Sequence, residues 1–158
     1  MRIGLGTDLH RLVEGRPCIL GGIELDHDTG PAGHSDGDAV LHAVTDAVLG
    51  GAGLDDIGTL FPDTDEKWRG ADSAELLREA VRRVQAKSLR IASLDIVIQT
   101  EGPRIAPVRD RMRARIAELC GADPDTVNVK GKTFEGLGEL AGGRAVAVQA
   151  VCLLAPAD

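Results

Sequence analysis

Aromatic side chains are nearly missing from this sequence. Its 158 residues include no Tyr, one Trp and two Phe. A platform that stacks the bases of single-stranded nucleic acid is built from such rings, so their scarcity argues against that partner. Long apolar runs are missing too. No segment approaches the roughly 20 consecutive apolar residues that span a bilayer, and the N-terminal residues show neither an apolar signal core nor an Arg- and Ser-rich transit character. The three cysteines, Cys18, Cys120 and Cys152, are odd in number and have neither zinc-ribbon nor redox-pair spacing. They read as reduced thiols, and the expectation is a cytoplasmic protein with no membrane partner.

Basic residues are scarce in one half only. The chain carries 25 acids and 18 bases, a net charge of −7, which disfavours nucleic acid and anionic membrane surfaces. Residues 1–65 hold 12 acids and 3 bases, whereas residues 66–158 hold 13 acids and 15 bases. All four histidines, His10, His27, His34 and His42, fall in the acidic half. Such a half can bind a cation, or it is simply an uneven surface. The length suits one domain over residues 1–158, with a core that needs no disulfide or metal staple.

Hydrophobic period divides the chain into strands and helices. Strands are expected at 2–6, 18–25 (with a bulge or close approach at Gly21-Gly22), 91–100, 126–130 and 144–154. A helix is expected from Asp38, with Val40, Leu41, Val44, Val48 and Leu49 on one face and Gly50-Gly51 at its end. A second begins at Asp72, where Glu75 three residues on resembles a capping box. A third covers 107–120, from Pro107 to a stop at Gly121. Strands alternating with helices predict an α/β or α+β fold, one sheet with a helical layer.

Five stretches could carry chemistry. In Asp8-Leu9-His10, an extended backbone points a carboxylate and an imidazole the same way. With His42 from the first helix they form a three-ligand set of zinc-like type with an open position, unless Asp8 and His10 merely mark a surface turn. His34-Ser35-Asp36-Gly37-Asp38 leads into a helix N-terminus, where an anion is favoured or where Ser35 or Asp36 is only the cap. Asp38, His42 and Asp46 follow at i, i+4, i+8, so either acid is a candidate hydrogen-bond partner of His42 or a neighbour on a solvated face. The Gly/Pro loop with Asp55, Asp56, Asp63 and Asp65 suits hydroxyls or a hard cation, or is plain solvated loop. Finally, Lys130-Gly131-Lys132-Thr133-Phe134-Glu135 offers a flexible glycine, an ammonium and a hydroxyl to a phosphate, although the full Walker pattern is incomplete, or it is a basic strand end with a turn.

In their order these segments resemble the 2-C-methyl-D-erythritol 2,4-cyclodiphosphate synthase family. The matching stretches are Arg2 to His10, Gly33-His34-Ser35-Asp36-Gly37-Asp38 with Leu41-His42-Ala43, Asp56-Ile57-Gly58 and Leu60 to Asp65. Gly70-Ala71-Asp72-Ser73, Pro103-Arg104 with Pro107, and Val127 to Lys130 with Thr133 and Glu135 complete them. The resemblance implies a homotrimer in which each mixed sheet faces the threefold axis and helices pack on its other face. It implies cyclisation of 4-diphosphocytidyl-2-C-methyl-D-erythritol 2-phosphate with release of CMP, a step of non-mevalonate isoprenoid (terpenoid) biosynthesis carried out by a phosphorus-oxygen lyase. By the same resemblance Asp8, His10 and His42 bind one divalent cation per subunit, usually zinc. His34, Ser35, Asp56, Ile57, Gly58 and the Phe61, Pro62, Asp63, Thr64, Asp65 loop line the methylerythritol pocket. Thr100, Pro103, Arg104, Ile105 and Ala106, with Lys132, Thr133 and Phe134, form the cytidine side, contributed by the neighbouring subunit. Glu135 holds a second cation, magnesium or manganese, on the diphosphate, and His34 and Thr133 are the expected transition-state contacts. The chain departs from many members at Phe134 and over residues 138–144. There, Glu139 and Gly142 stand where a central cavity for an isoprenoid diphosphate is often lined.

Overall fold

The computed structural model describes residues 1–62, 64–68, 70–138 and 140–157. Among these residues seven strands form: β1 (Arg2–Glu14), β2 (Cys18–Leu20), β3 (Ile23–Leu25), β4 (Thr29–Pro31), β5 (Leu89–Thr100), β6 (Val127–Lys132) and β7 (Ala145–Pro156). Five make one mixed sheet in the order β4-β1-β7-β5-β6, with β5 and β6 parallel and the other neighbours antiparallel. The helices are α1 (Ala39–Gly51), the single turn α2 (Ile57–Leu60), α3 (Ser73–Gln85) and α4 (Arg109–Cys120).

The strands alternate as period two requires. Leu94, Ile96 and Ile98 of β5 and Val146, Val148, Ala150, Cys152 and Leu154 of β7 are buried beneath the helices. The apolar stripe of α1 is buried among them, as is that of α3, with Leu76, Leu77, Ala80, Val81 and Val84. Among the described residues no helix lies over the opposite sheet face. Ile3, Leu5 and Leu9 of β1 and Val151 of β7 project there, 74%, 63%, 54% and 44% exposed.

Two glycines decide how close the layers come. A Cβ added at Gly4 would stand 1.8 Å from the carbonyl oxygen of Ala47, and one at Gly6 1.9 Å from that of Ala43. α1 therefore rests on bare β1 backbone, where any side chain would push it away.

Several elements differ from the sequence expectation: β1 runs on to Glu14 instead of ending at Gly6, and β4 forms at Thr29–Pro31 where no strand is expected. Residues 18–25 are not one strand but a hairpin, because Gly21 and Gly22 both take positive φ, 65° and 72°, and turn the chain. α4 starts at Arg109 rather than at 107, since Pro107 falls within a turn closed by the Val108 N–H on the Ile105 carbonyl. Its end holds as read, with Gly121 in the left-handed conformation at φ 60°. Asp72 caps α3 by accepting the Ala74 N–H at 2.8 Å, but Glu75 pairs with Arg78 instead of closing the capping box.

The α1–β1 contact yields a stability prediction. Gly6→Ala forces a methyl into the Ala43 carbonyl and should lower unfolding free energy by about 3 kcal/mol or more. Urea denaturation checks this, and a wild-type midpoint would refute the contact.

Candidate active site and metal centre

β1 continues past Gly6 to Glu14, so Asp8 and His10 share the face that carries Gly4 and Gly6, the face under α1. His42 descends from α1 one residue before Ala43, the residue that touches Gly6. The three side chains converge. Asp8 Oδ2 lies 2.9 Å from His10 Nε2 and 3.0 Å from His42 Nδ1, and the two imidazole nitrogens are 3.3 Å apart. Ligands about 2.0 Å from a tetrahedral ion are separated by about 3.3 Å, so one carboxylate and two imidazoles at these spacings fit a divalent cation. All three are partly accessible, which leaves a side open for a further ligand.

Electrostatics tie the group together. Burial pushes the Asp8 carboxyl up, but hydrogen bonds with His10 and His42 outweigh it and hold the group well below the usual carboxylate range. The hydrogen bond to Asp8 raises the His10 imidazole, against burial, which lowers it.

The other nitrogen of His42 is also engaged. Nε2 lies 3.1 Å from Ser35 Oγ and 2.9 Å from Ser73 Oγ. Ser73, the first residue of α3, donates its hydroxyl to Asp36 Oδ1 and its N–H to Asp36 Oδ2 at 3.0 Å. Both imidazole nitrogens being spoken for, the ring cannot flip or swing, which is what a metal ligand requires. Ser73 is missed by pattern reading, because a Ser at a helix start signals only a cap.

The two helical acids serve elsewhere. Asp38, not Ser35 or Asp36, is the N-cap of α1: it is fully buried and accepts N–H groups from Gly21, Gly22, Val40 and Leu41 at 2.6–3.0 Å. Burial pushes its carboxyl up to about 6, against the pull of those donors. Asp46 accepts the Ile57 N–H at 2.8 Å and so anchors α2.

Asp56 caps that same turn through the Thr59 N–H at 2.8 Å, with Ile57 partly buried and Gly58 exposed behind it. Phe61 is buried edge-on against Trp68, ring centroids 5.0 Å apart, with the Arg83 guanidinium 5.7 Å from its centroid. Pro62 is partly buried, Thr64 and Asp65 are exposed, and Asp63 lies outside the described residues, as does Glu139. His34 is exposed, held at its carbonyl by the Gly70 N–H at 3.2 Å.

A cavity of about 620 Å3 opens where β5 and β6 end. Thr100, Pro103, Arg104, Ile105, Ala106, Lys132 and Thr133 line it, together with Lys130 and Arg109. The Thr100 hydroxyl is already spent on the Gly102 and Ala145 carbonyls. Phe134 and the exposed Glu135 follow in the next turn, outside the lining, where Thr133 Oγ1 donates to Glu135 Oε1 at 2.7 Å. Through Val146, His10 and Thr100 stand in one cross-strand row, so the triad and the cavity occupy the same end of the sheet.

The chain is similar to known proteins over nearly its whole length. The model of the YgbB family matches residues 1–155. The 2-C-methyl-D-erythritol 2,4-cyclodiphosphate synthase of Chromobacterium violaceum is 56% identical over 156 residues, 99% of this chain and 99% of that protein. The chloroplastic synthase of Oryza sativa subsp. japonica is 46% identical, over 97% of this chain and 69% of that one. A solved synthase structure in its CDP-bound form matches with a TM-score of 0.90 at 42% identity, covering 98% of this chain and 100% of that one. With a match of this extent and a fold shared throughout, the chain belongs to the YgbB family, that of the 2-C-methyl-D-erythritol 2,4-cyclodiphosphate synthases.

Proposed function

We propose that the protein converts 4-diphosphocytidyl-2-C-methyl-D-erythritol 2-phosphate to 2-C-methyl-D-erythritol 2,4-cyclodiphosphate and CMP. The observation that carries this reading is the convergence of Asp8, His10 and His42 at the sheet end that also holds the 620 Å3 cavity. An oxygen of the 2-phosphate bonds to the β-phosphorus, the bond from the β-phosphorus to the bridging oxygen breaks, and CMP leaves with that oxygen and its electron pair. The substrate brings its own nucleophile, so the protein's work is to hold two anionic groups together and in line.

Asp8, His10 and His42 hold a divalent cation, zinc in this reading. When bound, it supplies positive charge against the crowded phosphates. His34, Ser35, Asp56, Ile57, Gly58 and residues 61–65 receive the methylerythritol portion. Thr100 to Ala106, with Lys132, Thr133 and Phe134, receive the cytidine and its phosphates. Lys132 offers an ammonium to the diphosphate, Glu135 a carboxylate to a second cation, magnesium or manganese. His34 and Thr133 hydrogen-bond the oxygens that gain charge at the transition state.

In this reading the whole chain is one domain, the protein works in the cytoplasm, and three copies share their sites. Two observations support the sharing. The apolar face bearing Ile3, Leu5, Leu9 and Val151 is exposed among the described residues of one chain. His10 belongs to the helix-covered face, whereas Lys132 pairs with Gln99, whose β7 partner Ala147 pairs with Leu9 on the uncovered face. One small diphosphate reaches both where two copies adjoin.

Incubation with the substrate tests the reaction directly: cyclodiphosphate plus CMP supports it, whereas linear monophosphates would indicate a phosphohydrolase. His42→Ala should lose about one zinc per subunit and nearly all CMP release, so full metal content with full activity would refute the triad. Ligation needs neutral His10, whose imidazole is held protonated to higher pH by Asp8. Zinc affinity should therefore rise with pH through that raised value, with proton release visible by calorimetry in buffers of different ionisation enthalpy. In the metal-free chain the His10–Asp8 pair contributes stability that is fully present between about 4 and 6.5, is lost as pH rises through the raised His10 value, and fades at low pH as Asp8 takes up its proton. Inactive Thr133→Ala and His42→Ala proteins, mixed under proven subunit exchange, should regain activity. No regain would argue against shared sites.

A further inference from the structure

Arg16 stands behind the loop that carries His34 and is used by neither the triad nor the cavity. Its Nη1 donates to the Gly33 carbonyl at 3.2 Å and its Nη2 to the Ser35 carbonyl at 3.0 Å. The carbonyl between them, that of His34, accepts the Gly70 N–H at 3.2 Å. Three successive carbonyls are thus held from outside, and neither peptide flanking His34 rotates without breaking a bond to Arg16 or Gly70.

The loop held in this way covers the triad. A Cβ added at Gly33 would come 3.4 Å from His10 Cε1, and Ser35 Oγ lies 3.1 Å from His42 Nε2. The Arg16 guanidinium therefore sets how the loop rides over both imidazoles. Its Nε is buried with no hydrogen-bond partner among the described residues. A side chain serving stability alone gains nothing from burying an unpaired donor. What the position uses is the planar fork, which reaches two carbonyls at once.

We propose that Arg16 is a positioning residue: by bridging the Gly33 and Ser35 carbonyls it fixes the His34–Ser35 segment over the triad and so controls the chemical step more than substrate capture. The proposal rests on the reading of His34 and Ser35 as substrate-facing residues. In Arg16→Ala, kcat should fall roughly 10- to 100-fold while KM stays within about threefold, and metal content per subunit should not change. Methylguanidinium added to that variant should restore part of the rate, and methylammonium should not. Arg16→Lys should remain impaired, because a single ammonium does not span both carbonyls.

A second readout does not depend on turnover. The chain has four histidines, so its imidazole NMR spectrum is simple. The His34 and His42 signals should move or broaden in Arg16→Ala and return with methylguanidinium. His27, which sits against Gly102, should stay where it is. Wild-type kcat in the folded variant, or a loss of rate with unmoved His34 and His42 signals, would overturn the proposal. If the alanine variant does not fold, Arg16→Lys carries the same test, and wild-type rate and spectrum there would overturn it equally. If the unmodified protein yields no cyclodiphosphate, the functional reading fails, and the imidazole spectra alone decide the role of Arg16.

Discussion

The approach of α1 to the bare backbone of β1 is the constraint on which the rest depends. With Gly4 and Gly6 beneath it, the helix sits close enough for His42 to share a carboxylate oxygen with His10. Any side chain at Gly6 moves Ala43 first, and His42 is its neighbour in sequence. The same contact completes the core, since α1 is buried almost all round. Packing and chemistry are therefore one feature here. A core that repacks even slightly at this seam alters the metal ligands as well.

Around that seam the structure adds successive layers of restraint. Asp38 ties the β2–β3 turn to the start of α1 through four backbone N–H groups. Ser73 and Ser35 hold the far nitrogen of His42, and Asp36 holds Ser73. Residues from three separate stretches of chain, Asp8 with His10, Ser35 with Asp36, and Ser73, thus bear on one imidazole. Such a ring reorients only if several hydrogen bonds break together, which keeps the ligand set preorganised. The pocket end is built differently. There the lining comes from strand ends and the turn after β5, and most of its polar side chains are exposed. The contrast is between a tightly restrained carboxylate–imidazole cluster and a cavity rimmed by exposed cationic side chains.

Much of this was readable from the sequence, and the exceptions have physical causes. The Asp8–His10 pair followed from period two, and it needed only that the strand continue beyond Gly6, as it does. The buried stripes of α1 and α3 followed from helical period. Asp38 was misjudged because helical spacing was applied to a residue that is not helical. As the N-cap, at φ −65° and ψ 88°, it points its carboxylate back at the helix start rather than along the His42 face. Gly21-Gly22 suggested a bulge because two glycines mark unusual backbone without saying which kind, and the hydrogen bonds that decide it come from 16 and 17 residues away. Ser73 lies 31 residues from His42, and no local pattern reports that contact. The match of the whole ordered set to a known family supplied what separate motifs did not.

The alternation of β1 has one more consequence. Gly4, Gly6, Asp8 and His10 face the helix, and Ile3, Leu5 and Leu9 face away. A slip of one residue in its pairing with β7 would send both ligands to the open face and drive leucines into the carbonyls of α1. The error would therefore be rejected during folding, by steric collision, before it could persist as an intact but inert molecule. The glycines act as a proofreading step: whatever folds around them has its carboxylate and imidazole on the correct side.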